Sequence, residues 1–121
     1  MKTIKVRLVG SGFVTHLHLN AFRQVIGMPV EVVAVASRTP EKVREFANRN
    51  KIPKYYTDYR NLLDDKDIDV IDVCVPNILH RQVCIDSAEA GKHIICEKPL
   101  TGYFGEELQN GIERVGDIPK I

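Results

Sequence analysis

The chain has 121 residues, of which 44% are hydrophobic and 27% charged, as expected for one globular domain. Its formal net charge of +1 lacks the excess of Lys and Arg that a nucleic-acid surface needs, so we expect no nucleic-acid partner. No apolar run approaches the ~20 residues that span a bilayer, and the N-terminus lacks a signal-peptide core, so we expect a cytoplasmic protein without a membrane partner.

Apolar runs typical of buried strands alternate along the chain with apolar residues at helical spacing. The predicted strands cover residues 4–9, 30–36, 54–56, 69–75 and 93–96. The predicted helices cover residues 14–25, 40–47, 59–63 and 79–88, with a further helix, interrupted by Gly111, at 106–115. This alternation predicts an α/β fold, a single Rossmann-type domain with a doubly wound parallel sheet and right-handed crossovers.

A few residue types predict where the helices begin and end. Thr39 is predicted to cap the second helix, because Pro40 suits the first helical position. Pro76 is predicted to end the fourth strand and Asn77 to cap the next helix, which Gly91 would close.

The cysteines Cys74, Cys84 and Cys96 form no CxxC pair. They therefore predict neither a disulfide framework nor a zinc site, and we expect no metal centre. Cys74 and Cys96 lie in apolar runs and are interpreted as small core residues. The sequence places no His or Asp neighbour to activate a cysteine, so a nucleophilic thiolate is the minor alternative.

A glycine turn follows the first predicted strand. Gly10 would permit the tight turn, and Gly12 would let a pyrophosphate approach the backbone and bind the N-terminus of the next helix. The third position of this fingerprint is Thr15 rather than Gly or Ala, which predicts slightly looser packing of helix on strand. The residues of the turn predicted to bind a dinucleotide are Gly10, Ser11, Gly12, Phe13 and Val14.

The end of the second strand bears on which dinucleotide binds. An NAD site carries Asp or Glu there to accept hydrogen bonds from the ribose 2′-hydroxyl, whereas this chain has Ser37, Arg38 and Thr39. A guanidinium can bind a 2′-phosphate bidentately and stack on adenine, so NADP is favoured. Ser37 does not prohibit NAD, and the competing interpretation makes Arg38 an ordinary solvated charge.

The carboxyl end of a central strand carries Val75, Pro76 and Asn77, with His80 one helical turn later. Open α/β sheets bind ligands at such a place, so we predict that these four residues contact the cofactor. The competing interpretation is structural: Pro76 ends the strand, Asn77 caps a helix and His80 lies on the helix surface.

The tip of the last predicted strand carries Glu97, Lys98 and Pro99. Glu97 and Lys98 are predicted to contact the cofactor. Lys98 is also the candidate catalytic residue, because a lysine at such a place can act as an acid–base group or polarise a substrate hydroxyl. The alternative is that Glu97 and Lys98 form an ordinary exposed pair.

Taken together, these motifs resemble the glucose-fructose oxidoreductase and inositol dehydrogenase family (Gfo/Idh/MocA). The combination is far more specific than any single motif. The matching stretches run in family order up to about Leu100: Gly10–Gly12 with His18, Ser37–Arg38, Val75–Asn77 with His80, and Ala90–Pro99.

The resemblance implies an NAD(P)-dependent dehydrogenase or reductase that acts on a sugar, a cyclitol or a related polyol, with NADP favoured over NAD. It implies that Lys98 contacts the reacting hydroxyl and the nicotinamide ribose. The nicotinamide would lie near Pro76, Asn77 and Glu97. A cis peptide bond before Pro99 is implied as well.

Members of the family continue into a larger α+β domain that carries further catalytic groups and the oligomer interface. We interpret residues 1–121 as the NAD(P)-binding domain without that second domain, and therefore expect little or no turnover from this chain alone. We also expect exposed apolar surface where the second domain would pack, and self-association into a homo-oligomer. A stand-alone nucleotide-binding module or a truncated product is the alternative. A methyltransferase is disfavoured by Ser37 and Arg38.

Overall fold

Five parallel strands form one sheet in the computed structural model of the chain, which describes residues 2–64 and 70–98. The strands are β1 (Ile4–Val9), β2 (Val30–Ala36), β3 (Lys54–Tyr56), β4 (Val70–Val73) and β5 (His93–Cys96). Their order in the sheet is β3-β2-β1-β4-β5. Because the order reverses at β1, the switch point of the sheet lies at the carboxyl ends of β1 and β4, where open α/β sheets bind ligands.

Helices cover the two faces of this sheet. The described residues form α1 (Phe13–Arg23), α2 (Pro40–Arg49), α3 (Arg60–Leu63) and α4 (His80–Glu89), with a 3-10 turn at Asn77–Leu79. Thr39 occupies the N-cap of α2 and Pro40 its first turn, as predicted, but the Thr39 side chain makes no capping hydrogen bond. None of these helices combines the length and the apolar content that a membrane span needs.

Two hydrophobic clusters, one on each face, hold the helices to the sheet. In the first, α1 and α2 cover β1 and β2 through Val6, Leu8, Leu19, Val32, Val35, Val43, Phe46, Ala47 and Ile52. In the second, α3 and α4 cover β1, β2 and β4 through Val9, Ala34, Ala36, Leu62, Ile71, Val73 and Val83, with Cys84 and Cys96 half-buried at its margin. A sheet covered on both faces explains why β2 and β4 are nearly continuous apolar runs rather than alternating ones.

The observed strands agree closely with the predicted ones. β1, β2, β3 and β5 have the predicted bounds, and the prediction of a doubly wound parallel sheet of Rossmann type is confirmed. β4 ends at Val73, two residues early, because the chain turns towards Pro76, which has no N–H for the sheet and restricts Val75. Asp69 and the helix predicted at 106–115 lie outside the described residues.

The start of α4 differs from its prediction. Asn77 does not cap an α-helix but begins the 3-10 turn, in which the Leu79 N–H donates to the Pro76 carbonyl oxygen at 2.9 Å. α4 itself begins only at His80, after this tighter turn of i→i+3 hydrogen bonding. Gly91 closes α4, as predicted, with a φ of 76° that suits a residue without Cβ.

Candidate functional site

The turn after β1 is closed against the neighbouring strand end at Gly10. The φ of Gly10 is 116°, and a Cβ there would lie 2.5 Å from the carbonyl oxygen of Cys74, which follows β4. The Gly10 N–H donates to the carbonyl oxygen of Ala36 at the end of β2, at 2.7 Å. Both the conformation and the space therefore require glycine, as the fingerprint predicts for its first position.

The same turn is open at Gly12, which is the N-cap of α1. Its φ of −92° is ordinary for any residue, and a Cβ there would meet no atom within 4 Å. The next N–H groups of α1 have no acceptor within the helix, and the first turn contains no acidic residue. Phe13 and Val14 are exposed, whereas Thr15 is completely buried. An anion can therefore reach the positive end of α1 across Gly12.

A hydroxyl pair joins this turn to the end of β2. The Ser11 hydroxyl donates to Ser37 Oγ at 2.9 Å, and the Ser37 N–H donates to the Tyr56 carbonyl oxygen at the end of β3, at 3.1 Å. Arg38 and Thr39 are exposed beyond this pair. Among the described residues, Arg38 has no hydrogen-bond or ion-pair partner, so its guanidinium is available to a ligand.

The buried side chain of His80 forms a hydrogen bond with the loop after β4. Its side chain is 1% exposed, and Nε2 lies 2.8 Å from the carbonyl oxygen of Val75. Because a carbonyl oxygen only accepts, Nε2 carries the hydrogen of this bond. The interpretation of His80 as a helix-surface residue is therefore wrong, since the imidazole fixes the loop on which Pro76 and Asn77 are exposed.

A chain of hydrogen bonds links α1 to the ends of β4 and β5. His18 Nδ1 lies 2.7 Å from Asp72 Oδ2, and His18 Nε2 lies 3.0 Å from Glu97 Oε1. The Asp72 side chain is fully buried, whereas the side chains of His18 and Glu97 are 19% and 44% exposed. These hydrogen bonds therefore connect the interior of the sheet to its surface at the carboxyl edge. We call these three residues the carboxylate–imidazole triad.

The charges of this triad influence one another. Burial lowers the pKa of His18, but the hydrogen bond and charge of Asp72, together with those of Glu97, outweigh it and raise the pKa above 6.5. Burial also raises the pKa of Asp72, and its hydrogen bond to His18 reduces that rise without cancelling it. Positive charge is therefore favoured on His18, and negative charge on Asp72 is costly.

Two ionisable side chains lie beside the Cys74 thiol, which the sequence alone does not predict. Its Sγ lies 3.4 Å from His18 Nδ1, and Asp72 is close enough to act on its charge. The sequence places no His or Asp to activate a cysteine, and the structure brings His18 to Cys74 because α1 crosses the strand end from a position 56 residues earlier in the chain. These neighbours do not activate the thiol, since burial, followed by the charge of Asp72, raises the pKa of Cys74.

His18, Asp72 and Cys74 also offer three ligand atoms within 4.8 Å of one another. Atoms that share a tetrahedral metal at about 2.0–2.3 Å lie roughly 3.3 Å or more apart. The 2.7 Å separation of His18 Nδ1 and Asp72 Oδ2 is instead that of a direct hydrogen bond. As they are placed, these side chains form a hydrogen-bonded group and do not fit a metal centre.

The structure brings most of the predicted site residues to one edge of the sheet. The glycine turn, Ser37, Val75 and Glu97 all follow the carboxyl ends of their strands. Lys98 is exposed at the end of the described range, and Pro99 with its implied cis peptide lies outside it. Asp72 was missed, although an acid within an otherwise apolar buried strand is itself a signal of a polar partner.

Comparison with known proteins identifies the family. The profile described as Gfo/Idh/MocA, an oxidoreductase family with an NAD-binding Rossmann fold, matches residues 4–115. The chain is similar to the levoglucosan dehydrogenase of Pseudarthrobacter phenanthrenivorans, with 39% identity over 124 residues and 97% of the chain covered. It is also similar to the inositol 2-dehydrogenase of Salmonella typhimurium, with 33% identity over 99 residues and 81% of the chain covered.

Solved structures show the same relationship. A levoglucosan dehydrogenase in complex with NADH and levoglucosan matches 83% of the chain with a TM-score of 0.77 and 39% identity. A mutant 3-ketoreductase from Actinomadura kijaniata, in complex with TDP-benzene and NADP, matches 83% with a TM-score of 0.73 and 30% identity. The chain spans between 28% and 31% of the length of these four proteins. It therefore belongs to the Gfo/Idh/MocA family of oxidoreductases, as their NAD-binding Rossmann domain.

Proposed function

We propose that this chain binds NADP, in preference to NAD, as the cofactor domain of a dehydrogenase or reductase of sugars, cyclitols or related polyols. The observation that carries the proposal is the contrast within the glycine turn. A Cβ at Gly10 would collide with Cys74, whereas a Cβ at Gly12 would enter empty space at the N-terminus of α1. This turn is closed against Cys74 at Gly10 and open at Gly12, where the N-terminus of α1 has no side-chain cap. Such a turn suits a pyrophosphate, which needs backbone N–H groups and a positive dipole.

The remaining predicted contacts divide between the two halves of the cofactor. Ser11, Ser37 and Arg38, with Thr39 beside them, would bind the adenosine half at the ends of β1 and β2. On the other side of the switch point lie the residues proposed for the nicotinamide half. They are Val75, Pro76 and Asn77, held by His80, together with Glu97 and Lys98.

The preference for NADP depends on Arg38. Solved structures of relatives contain either NADH or NADP, so membership of the family does not decide between the two cofactors. Residues 37 and 38 offer no carboxylate, and the Ser37 hydroxyl is already bonded to Ser11. An exposed guanidinium without a described partner favours a 2′-phosphate, because a bidentate charge-assisted pair forms at little desolvation cost.

Lys98 is the residue that we propose for catalysis. The bound cofactor supplies a nicotinamide ring that accepts or donates a hydride at the carbon of an alcohol or carbonyl group. Lys98 Nζ would hold the oxygen of that group and take or return its proton. The relatives named above act on levoglucosan and inositol by their names, which supports a polyol or sugar substrate.

Titration with NADPH and NADH tests the proposal. We expect NADPH to bind more tightly to the unchanged chain. Arg38→Ala should weaken the binding of NADPH about tenfold or more, because one charge-assisted contact is lost. The binding of NADH should weaken less than about threefold. Arg44→Ala removes another exposed arginine, from α2, and is the matched control for net charge. Equal affinities for the two dinucleotides would overturn the NADP preference, and no binding of either would overturn the dinucleotide site.

The residues of this chain alone should bind without turnover. Protein groups from a second domain would be needed to orient the substrate, and orientation supplies a large part of the rate in such a reaction. We therefore expect no change in nicotinamide absorbance when the 121-residue chain is mixed with NADP⁺ and levoglucosan or myo-inositol. Measurable reduction of the cofactor would contradict this expectation.

A further inference from the structure

His18 lies between two carboxylates that belong to different strands. Asp72 is on β4 and fully buried, and Glu97 follows β5 at the surface. The described titratable groups in contact with His18 are these two acids and the Cys74 thiol after β4. His18 is also the only side-chain partner of the Glu97 carboxylate among the described residues.

The two hydrogen bonds of the triad need two protons. A carboxylate only accepts, so a neutral imidazole with one N–H can satisfy Asp72 or Glu97 but not both. Both bonds form when His18 is an imidazolium, or when one of the two acids is protonated and donates to the ring nitrogen that faces it while the other ring N–H donates to the other carboxylate. Removing either proton leaves two acceptors facing each other, and one bond is lost. The bond to Glu97 is the longer and more exposed, so it should be lost first.

We propose that His18 is a positioning residue that anchors the Glu97 carboxylate to Asp72 and thereby fixes the nicotinamide side of the dinucleotide site. The proposal rests on the function proposed above, in which Glu97 contacts the cofactor. We call the two hydrogen bonds of His18, to Asp72 and to Glu97, the anchor. It connects three elements of the fold. Asp72 is held within β4, α1 brings His18 across the strand end, and the carboxylate after β5 is held where a 44% exposed side chain would otherwise take several conformations.

Position rather than charge is what the anchor supplies. Glu97 and Lys98 are adjacent at the tip of β5, so a fixed Glu97 also restricts the backbone that leads to Lys98. A contact that has been ordered before the ligand arrives costs less on binding than one that must be ordered then. Loss of the anchor should therefore weaken cofactor binding without requiring a direct contact between His18 and the cofactor.

The first measurement follows the His18 imidazole by NMR across pH, using His18→Asn to identify its signal among the four histidines. We expect Glu97→Gln to lower the pKa of His18, because the charge that favours the imidazolium is removed. His93→Gln, which changes an exposed histidine at the opposite end of β5, should leave that pKa unchanged. An unaltered pKa in Glu97→Gln would overturn the proposal, whatever the binding data show.

The second measurement is the affinity for NADH, which carries no 2′-phosphate to titrate in this range. His18→Asn keeps an N–H near the position of Nδ1 for Asp72 but is too short to reach Glu97, so the fold should be retained. We expect NADH to bind about tenfold more weakly to His18→Asn, similarly to Glu97→Gln, and no more weakly to the double variant. Retained unfolding midpoints, checked by circular dichroism, separate this loss from unfolding.

The pH profile distinguishes positioning from a packing role. Affinity of the unchanged chain for NADH should fall as pH rises through the pKa of His18, above 6.5, and the profile should be flat for His18→Asn. Additive losses in the double variant, or the same pH profile in His18→Asn, would overturn the positioning role while leaving the dinucleotide site intact. Failure of the unchanged chain to bind NADH and NADPH would overturn both proposals, even where the NMR coupling persists.

Discussion

The two halves of the carboxyl edge are built by different means. On the β1–β2 side, Gly10, Ser11 and Ser37 shape the proposed site through backbone conformation and one hydroxyl pair. On the β4–β5 side, the carboxylate–imidazole triad joins side chains that lie 54 and 79 residues apart in sequence. The first half should therefore respond to added volume and hardly to pH. The second half should respond to the loss of a proton and hardly to small changes of shape.

The largest effect is expected from Gly10→Ala. The new Cβ would lie 2.5 Å from a backbone carbonyl oxygen and would hold alanine at a φ of 116°. Strain and collision together should lower the free energy of unfolding by about 3 kcal/mol or more. Urea denaturation followed by circular dichroism measures this difference.

Gly27→Ala is the matched control for that variant. Gly27 also has a positive φ, of 88°, but a Cβ there would meet no atom within 4 Å. Its cost should therefore be the conformational part alone, about 1 kcal/mol. Equal destabilisation by the two variants would mean that the close approach to Cys74 does not constrain the turn.

Gly12→Ala should separate binding from stability. The φ of −92° suits alanine and the space around it is empty, so the free energy of unfolding should change by less than about 1 kcal/mol. The methyl group would occupy the path by which a pyrophosphate approaches α1, and we expect at least about tenfold weaker binding of NADH and NADPH alike. Isothermal titration measures both ligands. Unchanged affinity would show that no phosphate passes over Gly12.

The same contrast explains what the sequence could predict. Strand bounds at 4–9, 30–36 and 93–96 follow from runs rich in apolar residues, because a parallel sheet with helices on both faces buries most of its central strands. The glycine turn could be predicted from the spacing of its two glycines after β1, because a tight turn is determined by the local backbone conformation. Pairing of His18 with Asp72 depends on where α1 crosses the end of β4, which no local pattern encodes. The burial of His80 was missed for the same reason, because helical spacing alone does not say which face of α4 meets the sheet.

The smallest effect expected is the pH dependence of stability. The folded-state pKa of His18 lies above its ordinary 6.5, so the folded state binds more protons than the unfolded state in the window above that value. The contribution of His18 to stability is therefore fully present below pH 6.5 and is lost as pH rises through the folded-state pKa. The raised pKa of Asp72 acts in the same direction from 3.8 upwards.

Urea unfolding at pH 6 and pH 8.5 under reducing conditions measures this loss, which should be small because His18 is partly solvated. His18→Asn should remove the step near neutral pH, and His93→Gln should retain it. An unchanged step in His18→Asn would assign the pH dependence to another group and would weaken the contrast between the two halves. Loss of the step in His18→Asn would show that the stability of the β4–β5 half depends on protonation of the triad, whereas the β1–β2 half depends on backbone geometry.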